Sequence, residues 1–174
     1  MASRDEMTAG LSERLARLWR YGFVLSKSRD IAEDLVQATC LRALERAYEF
    51  KSGAKLDRWL FAILRSIWLN EIRARRTIEV QGNAKSGKVQ FSGAENRGDI
   101  SGGQVLTAVD QLPEAQREAV LLVYVEGMSY REAGEFLGTP VGAISSQLAS
   151  ARVSLGKLSS TNQAGAMDGA SDMT

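Results

Sequence analysis

The chain has 174 residues, with 22 Lys or Arg against 21 Asp or Glu, a single Cys and no His. That length allows one ordinary domain or two small ones. The lone Cys40 excludes an internal disulfide, and the lack of His removes ordinary zinc sites and His-based catalysis. No apolar run approaches the ~18 residues of a membrane span and no signal-peptide core is present, so a soluble, cytoplasmic chain without membrane insertion is expected. The near-zero net charge hides an asymmetry. Leu11 to Arg76 holds 14 basic and 8 acidic residues, whereas Gln104 to Leu158 holds 4 and 6. The first half therefore carries the electrostatic footprint of a polyanion binder.

In chain order, residues 1–10 read as a loose end. Leu11, Leu15, Leu18, Gly22 and Leu25 then recur at helical spacing and predict a first amphipathic helix. Asp30-Ile31-Ala32-Glu33 predicts a second, with Asp30 as its cap and Glu33 three residues on. Its expected buried stripe is Val36, Cys40, Leu44 and Ala47. Asp34, Gln37 and Leu41 fall at i, i+3 and i+7 on another face. An exposed Leu beside an acid and an amide suits a docking surface, and an ordinary solvated face has the same pattern. On such a buried stripe Cys40 reads as a small core residue sooner than as a redox sensor.

A loop from Phe50 to Asp57, with Lys51 and Lys55, leads to a third helix from about Arg58 to Arg76. Trp59, Leu60, Phe61, Ile63, Leu64, Ile67, Trp68 and Leu69 make this helix apolar over more than one face, while Ser66, Asn70 and Arg73 form a polar line. Arg65, Arg73, Arg75 and Arg76 stand against a single Glu71, with Arg58 upstream. Aromatics interleaved with cations suit single-stranded nucleic acid, in which bases stack on rings for roughly 1–3 kcal/mol each and cations track phosphates. The alternative makes both Trp residues core and the arginines a helix end favoured by the dipole. At least one Trp belongs to the core in either case.

Residues 77–103 hold six Gly, three Ser and two Asn, a composition that cannot bury enough surface to offset chain entropy and so predicts a flexible linker. The second block spans 104–158. Ser129-Tyr130-Arg131-Glu132 is a capping box opening a short helix to Leu137, which Gly138 ends through a left-handed turn. Thr139 is expected to cap the next helix, with Pro140 at its first position. Val141, Ile144, Leu148, Ala151, Leu155 and Leu158 mark that helix's buried face, and Ser146, Gln147 and Ser150 its opposite, polar face. Two short helices joined by a tight Gly turn, the second with a free polar face, match the way a recognition helix is offered to a DNA major groove, although plain helical hairpins share the pattern. Gly134, inside the first of the two helices, costs about 1 kcal/mol relative to Ala. The tail, 159–174, is small, polar and expected to be disordered. The fold class is therefore all-α: domains at 11–76 and 104–158, the second a helix-turn-helix, joined by a linker at 77–103.

Together these pieces resemble the bacterial RNA polymerase sigma factors of the extracytoplasmic-function type. Asp34-Leu35-Val36-Gln37 with Leu41-Arg42-Ala43 resembles the family's core-polymerase-binding motif. Trp59-Leu60, Ile63-Leu64-Arg65 and Arg73 to Arg76 resemble its promoter-melting helix. Leu112-Pro113, Arg117, Glu126 to Tyr130, Glu132-Ala133, Leu137-Gly138 and Pro140-Val141-Gly142 resemble its second domain. The resemblance covers about Leu11 to Leu158. It implies that core RNA polymerase docks on Asp34, Leu35, Val36, Gln37 and Leu41. It implies that −10 promoter DNA meets Lys51, Lys55, Arg58, Trp59, Arg65, Ser66, Asn70, Arg73, Arg75 and Arg76. The −35 element would meet Ser129, Tyr130, Arg131, Thr139, Val141, Gly142, Ala143, Ser145, Ser146, Gln147, Ser150 and Arg152. An anti-sigma protein is the implied regulator, and no catalytic residue, metal or cofactor is implied.

The chain departs from the family pattern in the recognition helix. Three positions that are usually basic are Ser145, Gln147 and Ser150, and Arg152 alone remains. Each lost phosphate contact weakens binding and lowers the salt slope by about one, which leaves a weak −35 contact or one carried by base readout. Ser66 stands where the family often has Asn. The alternative reading is a sigma-like mimic that sequesters an anti-sigma factor instead of binding promoters.

Overall fold

The computed structural model describes residues 4–50, 55–81 and 109–167, with side chains for 6–50, 55–77 and 109–157. All its regular elements among these residues are helical, and the chain divides into two units on either side of Asn96 and Arg97. Lys51 and residues 82–108, most of the expected linker, lie outside the described residues, as do 168–174.

The first unit contains α1 (Arg4–Ser12), α2 (Leu15–Ser26), α3 (Arg29–Glu45), a 3-10 turn (Ala47–Glu49) and α4 (Leu56–Gln81). Residues 4–10, read as part of a loose end, are helical. α1 is a helix whose Met7 is buried and whose Gly10 lies so near Leu56 that a Cβ there would stand 2.7 Å from its Cδ2. The expected single helix from Leu11 is broken at Glu13–Arg14, which leaves Leu15 43% exposed and off the core stripe. α2 ends at Lys27, a non-glycine residue held at φ 55°. Ser28, not Asp30, then caps α3: its hydroxyl accepts from the Ile31 N–H at 3.4 Å. The expectation failed because Asx and Ser caps are interchangeable in sequence, and the turn after Lys27 delivers Ser28 to the cap first.

α3 is also rotated relative to expectation. Its buried residues are Ala32, Leu35, Thr39 and Ala43, while Val36, Cys40 and Leu44 are half-buried. Thr39 tolerates full burial because its hydroxyl donates to the Leu35 carbonyl at 2.6 Å. Burial raises the Cys40 thiol above its ordinary value, which disfavours the thiolate a redox sensor needs. The core joins Leu18, Tyr21, Leu35, Leu60, Phe61 and Leu64, with the Tyr21 and Phe61 rings 5.0 Å apart and tilted by 50°. Trp68 is 4% exposed and supplies the expected core Trp. Asp57 lies in the first turn of α4, not in a loop, and binds Arg14 at 2.5 Å and Arg17 at 3.0 Å, tying α2 to the start of α4. α4 continues through Gln81, five residues into the segment read as linker.

The second unit contains α5 (Glu114–Val120), a π-helical turn (Leu121–Val125), α6 (Tyr130–Leu137) and α7 (Val141–Met167). Leu112, Ala119, Leu122, Ala133, Ile144, Leu148 and Ala151 form its core. Arg117 is buried and donates from Nη1 to the Leu112 carbonyl at 2.5 Å, satisfying a carbonyl just before α5. Burial pulls its guanidinium below the usual value, against the opposing pull of Glu114, Asp110 and Glu118. The helix of α7 reaches Met167, so the segment read as a disordered tail begins as a continuation of that helix.

Candidate nucleic-acid interface

The helix-turn-helix forms as its local chemistry predicts. The Ser129 hydroxyl accepts from the Glu132 N–H at 3.1 Å, and Glu132 Oε2 accepts from the Ser129 N–H at 2.9 Å, completing the capping box. Gly138 leaves α6 at φ 67°, where a side chain would cost about 1–2 kcal/mol. The Gly134 carbonyl accepts from both the Gly138 N–H and the Thr139 N–H, the latter at 2.9 Å. The turn thereby folds back onto Gly134, and a Cβ there would lie 2.8 Å from the Thr139 carbonyl oxygen. This glycine is a requirement of the turn, which its helix position alone did not suggest.

α7 starts one residue later than expected. The Pro140 carbonyl accepts the N–H groups of Ala143 at 2.9 Å and Ile144 at 3.3 Å, which makes Pro140 the cap and places Thr139 before it. Ile144, Leu148 and Ala151 are buried as expected, and Leu155 is half-buried. Val141 is 46% exposed instead of buried, because the turn delivers the first residue of α7 to the surface. Thr139, Gly142, Ser145, Ser146, Ser150 and Arg152 are exposed, whereas Ala143 and Gln147 are half-buried. The open face of α7 is thus small and hydroxyl-rich, with space above Gly142 for close approach. On α6, Arg131 projects but pairs with Glu135 at 3.2 Å. Ser129 is exposed, with its oxygen occupied by the capping box.

Arg152 does not stand alone on that surface. Its Nη1 donates to the Tyr124 hydroxyl at 2.6 Å, and it shares the Tyr130 hydroxyl, which also hydrogen-bonds Tyr124. The hydrogen bond from Arg152, with that from Tyr124, holds the Tyr130 phenol below its ordinary range. Tyr124 was missed by sequence reasoning, since a Tyr in an apolar run carries no signal of a partner 28 residues away.

In the first unit, Ser66, Asn70 and Arg73 are all exposed along α4, followed by exposed Arg75 and Arg76. Arg58 and Arg65 are half-buried and Lys55 is exposed. Trp59 is half-buried with its ring 5.4 Å from that of Phe50. On α3, Asp34, Gln37 and Leu41 are exposed together, Leu41 to 62%, and Val36 is half-buried. Leu35 is 1% exposed and packs in the core, so it supports this face from beneath and offers no contact of its own. Tyr48, which sequence reading passed over, adds a second exposed apolar side chain after α3. Among the described residues no cluster of Cys, Asp or Glu could hold a metal, and no helix is long and apolar enough to cross a membrane.

Comparisons with known proteins fall on the same two units. The family described as Sigma-70 region 2 matches residues 11–78, and that described as Sigma-70, region 4 matches residues 102–155. The chain is 35% identical over 155 residues to the ECF RNA polymerase sigma factor EcfG of Rhodopseudomonas palustris, covering 89% of this chain and 83% of that protein. It is 34% identical over 139 residues to the probable RNA polymerase sigma-C factor of Mycobacterium bovis, covering 79% and 75%. Among solved structures, the sigma factor RpoE of Bartonella quintana, crystallised in complex with the anti-sigma factor NepR, matches with a TM-score of 0.67 and 30% identity, covering 87% of this chain and 94% of that one.

Proposed function

Because the chain belongs to the ECF RNA polymerase sigma factors, we propose that it binds core RNA polymerase and directs it to promoters carrying −10 and −35 elements, under the control of an anti-sigma protein. The observation that carries this reading is the exposed line of Ser66, Asn70 and Arg73 on α4, which runs into Arg75 and Arg76. A purely structural helix has no use for that combination. Two hydrogen-bonding side chains can hold the edges of an unstacked base, and the arginines beyond them can follow the strand's phosphates. Flipping a base costs a few kcal/mol, so a shaped polar site is needed where the strands part. Trp59, about two turns before Ser66 on α4, offers a ring beside that of Phe50 on which a base could stack.

The α3 face of Asp34, Gln37 and Leu41 is the polymerase-docking surface, with Val36 at its margin and Leu35 fixing the backbone from the core. The second unit reads duplex DNA with α7. Its contacts come mainly from Ser145, Ser146 and Ser150, which can reach base edges, and few from cations. Reading the two elements from tethered domains raises the effective concentration of the second contact, so a weak −35 contact suffices. Polymerase does the chemistry, and this chain supplies placement and melting. The solved complex with the Bartonella quintana protein supports an anti-sigma partner for this chain.

Run-off transcription with core bacterial RNA polymerase, on promoter fragments from the source genome, tests the proposal. Discrete transcripts that depend on the protein and are lost with Asn70→Ala plus Arg73→Ala are the expected result. Neither transcripts nor polymerase binding would overturn it. Tight binding to an anti-sigma protein without any transcript would favour the sigma-like mimic.

A further inference from the structure

The residues around Arg152 carry an inference that rests on this promoter reading. The π-helical turn is closed by hydrogen bonds from the Glu126 N–H to the Leu121 carbonyl at 2.9 Å and from the Met128 N–H to the Leu122 carbonyl at 2.9 Å. Such wide turns recur at functional sites. This one leaves Tyr124 53% and Val125 51% exposed. The Tyr124 hydroxyl thereby meets Arg152 of α7, and Tyr130, the first residue of α6, closes the group. Three elements of the helix-turn-helix converge on one guanidinium.

The other described arginines of this unit are handled differently. Arg117 is buried against a carbonyl, and Arg131 is paired with a carboxylate. Among the described residues the polar partners of Arg152 are two phenols. A carboxylate neutralises a guanidinium as it orients it, whereas a neutral hydroxyl orients it and leaves the full charge available. Arg has five N–H donors in a fixed fork, more than two hydroxyls consume. Ordering a long side chain before binding removes an entropic cost from the binding step.

We propose that Tyr124 and Tyr130 are positioning residues that hold the Arg152 guanidinium charged and pre-ordered for a backbone phosphate of duplex promoter DNA. Between the start of α7 and Arg152 the exposed residues are Val141, Gly142, Ser145, Ser146, Ala149 and Ser150, none of them charged, so Arg152 then supplies a disproportionate share of the electrostatic grip.

A salt titration of promoter binding tests this, using polymerase reconstituted with the full chain and a promoter recovered by run-off transcription. Arg152→Ala is expected to weaken binding and lower the slope of log affinity against log salt by about one. Tyr124→Phe removes only a hydroxyl from an exposed ring. It is expected to weaken binding by about fivefold with the slope unchanged, because the charge remains. In the Arg152→Ala background, Tyr124→Phe is expected to have no further effect. A merely structural role for Tyr124 would move the melting temperature and leave that non-additivity absent. Additive losses, or tighter binding by Tyr124→Phe, would overturn the inference alone. A wild-type polymerase complex that recognises no promoter would overturn the promoter reading and this inference with it.

Discussion

Replacing Gly134 by Ala sets two physical effects against each other. Helix propensity alone favours Ala in a helix interior by about 1 kcal/mol. The added Cβ, however, would stand 2.8 Å from the Thr139 carbonyl oxygen and 3.7 Å from Ile144 Cγ1. The first neighbour is backbone and cannot rotate away. It is also pinned, because the Gly134 carbonyl accepts the Thr139 N–H at 2.9 Å and the Gly138 N–H beside it. Relief requires moving the turn by several tenths of an ångström. Such overpacking costs about 1–3 kcal/mol, and loosening the turn's hydrogen bond adds about 1 kcal/mol. After the propensity gain, a net loss of about 1–3 kcal/mol is expected in the second unit. All three Trp residues, Trp19, Trp59 and Trp68, lie in the first unit. Urea unfolding of the full chain followed by tryptophan fluorescence should therefore be unchanged, while amide exchange in α6 and the start of α7 accelerates. Gly156→Ala is the control, since a Cβ there meets nothing within 4 Å, and it should stabilise α7 by about 1 kcal/mol. If Gly134→Ala stabilises the unit as the control does, the close-approach argument is wrong.

Three further outcomes are expected. Lys27→Gly relieves a left-handed residue at φ 55° and should raise the first unit's stability by about 1 kcal/mol, read as a higher urea midpoint in tryptophan fluorescence; an unchanged midpoint would count against strain at this cap. Arg117→Ala strips the Leu112 carbonyl of its buried donor and should cost about 1–3 kcal/mol, seen as lost exchange protection in α5 with the tryptophan signal unmoved. Arg152→Ala should raise the titration of Tyr130 toward that of an ordinary tyrosine, followed by NMR of labelled tyrosine rings. The sign follows from the lowered phenol: it contributes stability above the ordinary tyrosine range that is lost as pH falls through the folded value. An unmoved Tyr130 titration would show that Arg152 is not its partner in solution.

The features legible in the sequence are those decided within a few residues. The capping box at Ser129 and Glu132 and the left-handed exit at Gly138 are i to i+3 or single-residue events, so residue identity suffices to place them. The exposed polar line on α4 was legible too, because Ser66, Asn70 and Arg73 recur at a fixed helical spacing beside a broad apolar face. Choices between near-equal local options were not legible. On α3, the stripes Val36–Cys40–Leu44 and Leu35–Thr39–Ala43 differ by one residue, about 100° of rotation, and both are apolar enough to bury. Packing decided between them: at Gly22 of α2 a Cβ would come within 3.3 Å of the Ala32 backbone, so the two helices approach along the second stripe and Leu35 turns inward. The same holds for α1, where Met7 and Leu11 gain a core only once α3 and α4 stand beside them. It holds again for Tyr124, which reaches Arg152 only because a π turn shifts it outward and α7 passes nearby. Local hydrogen bonding and periodicity determined the capping box, the Gly138 exit and the existence of the long apolar helices, but not α1, the break at Glu13–Arg14 or the far ends of α4 and α7. Which face of each helix is buried, and which cation is held ready at the surface, depended on close approaches between residues far apart in the chain.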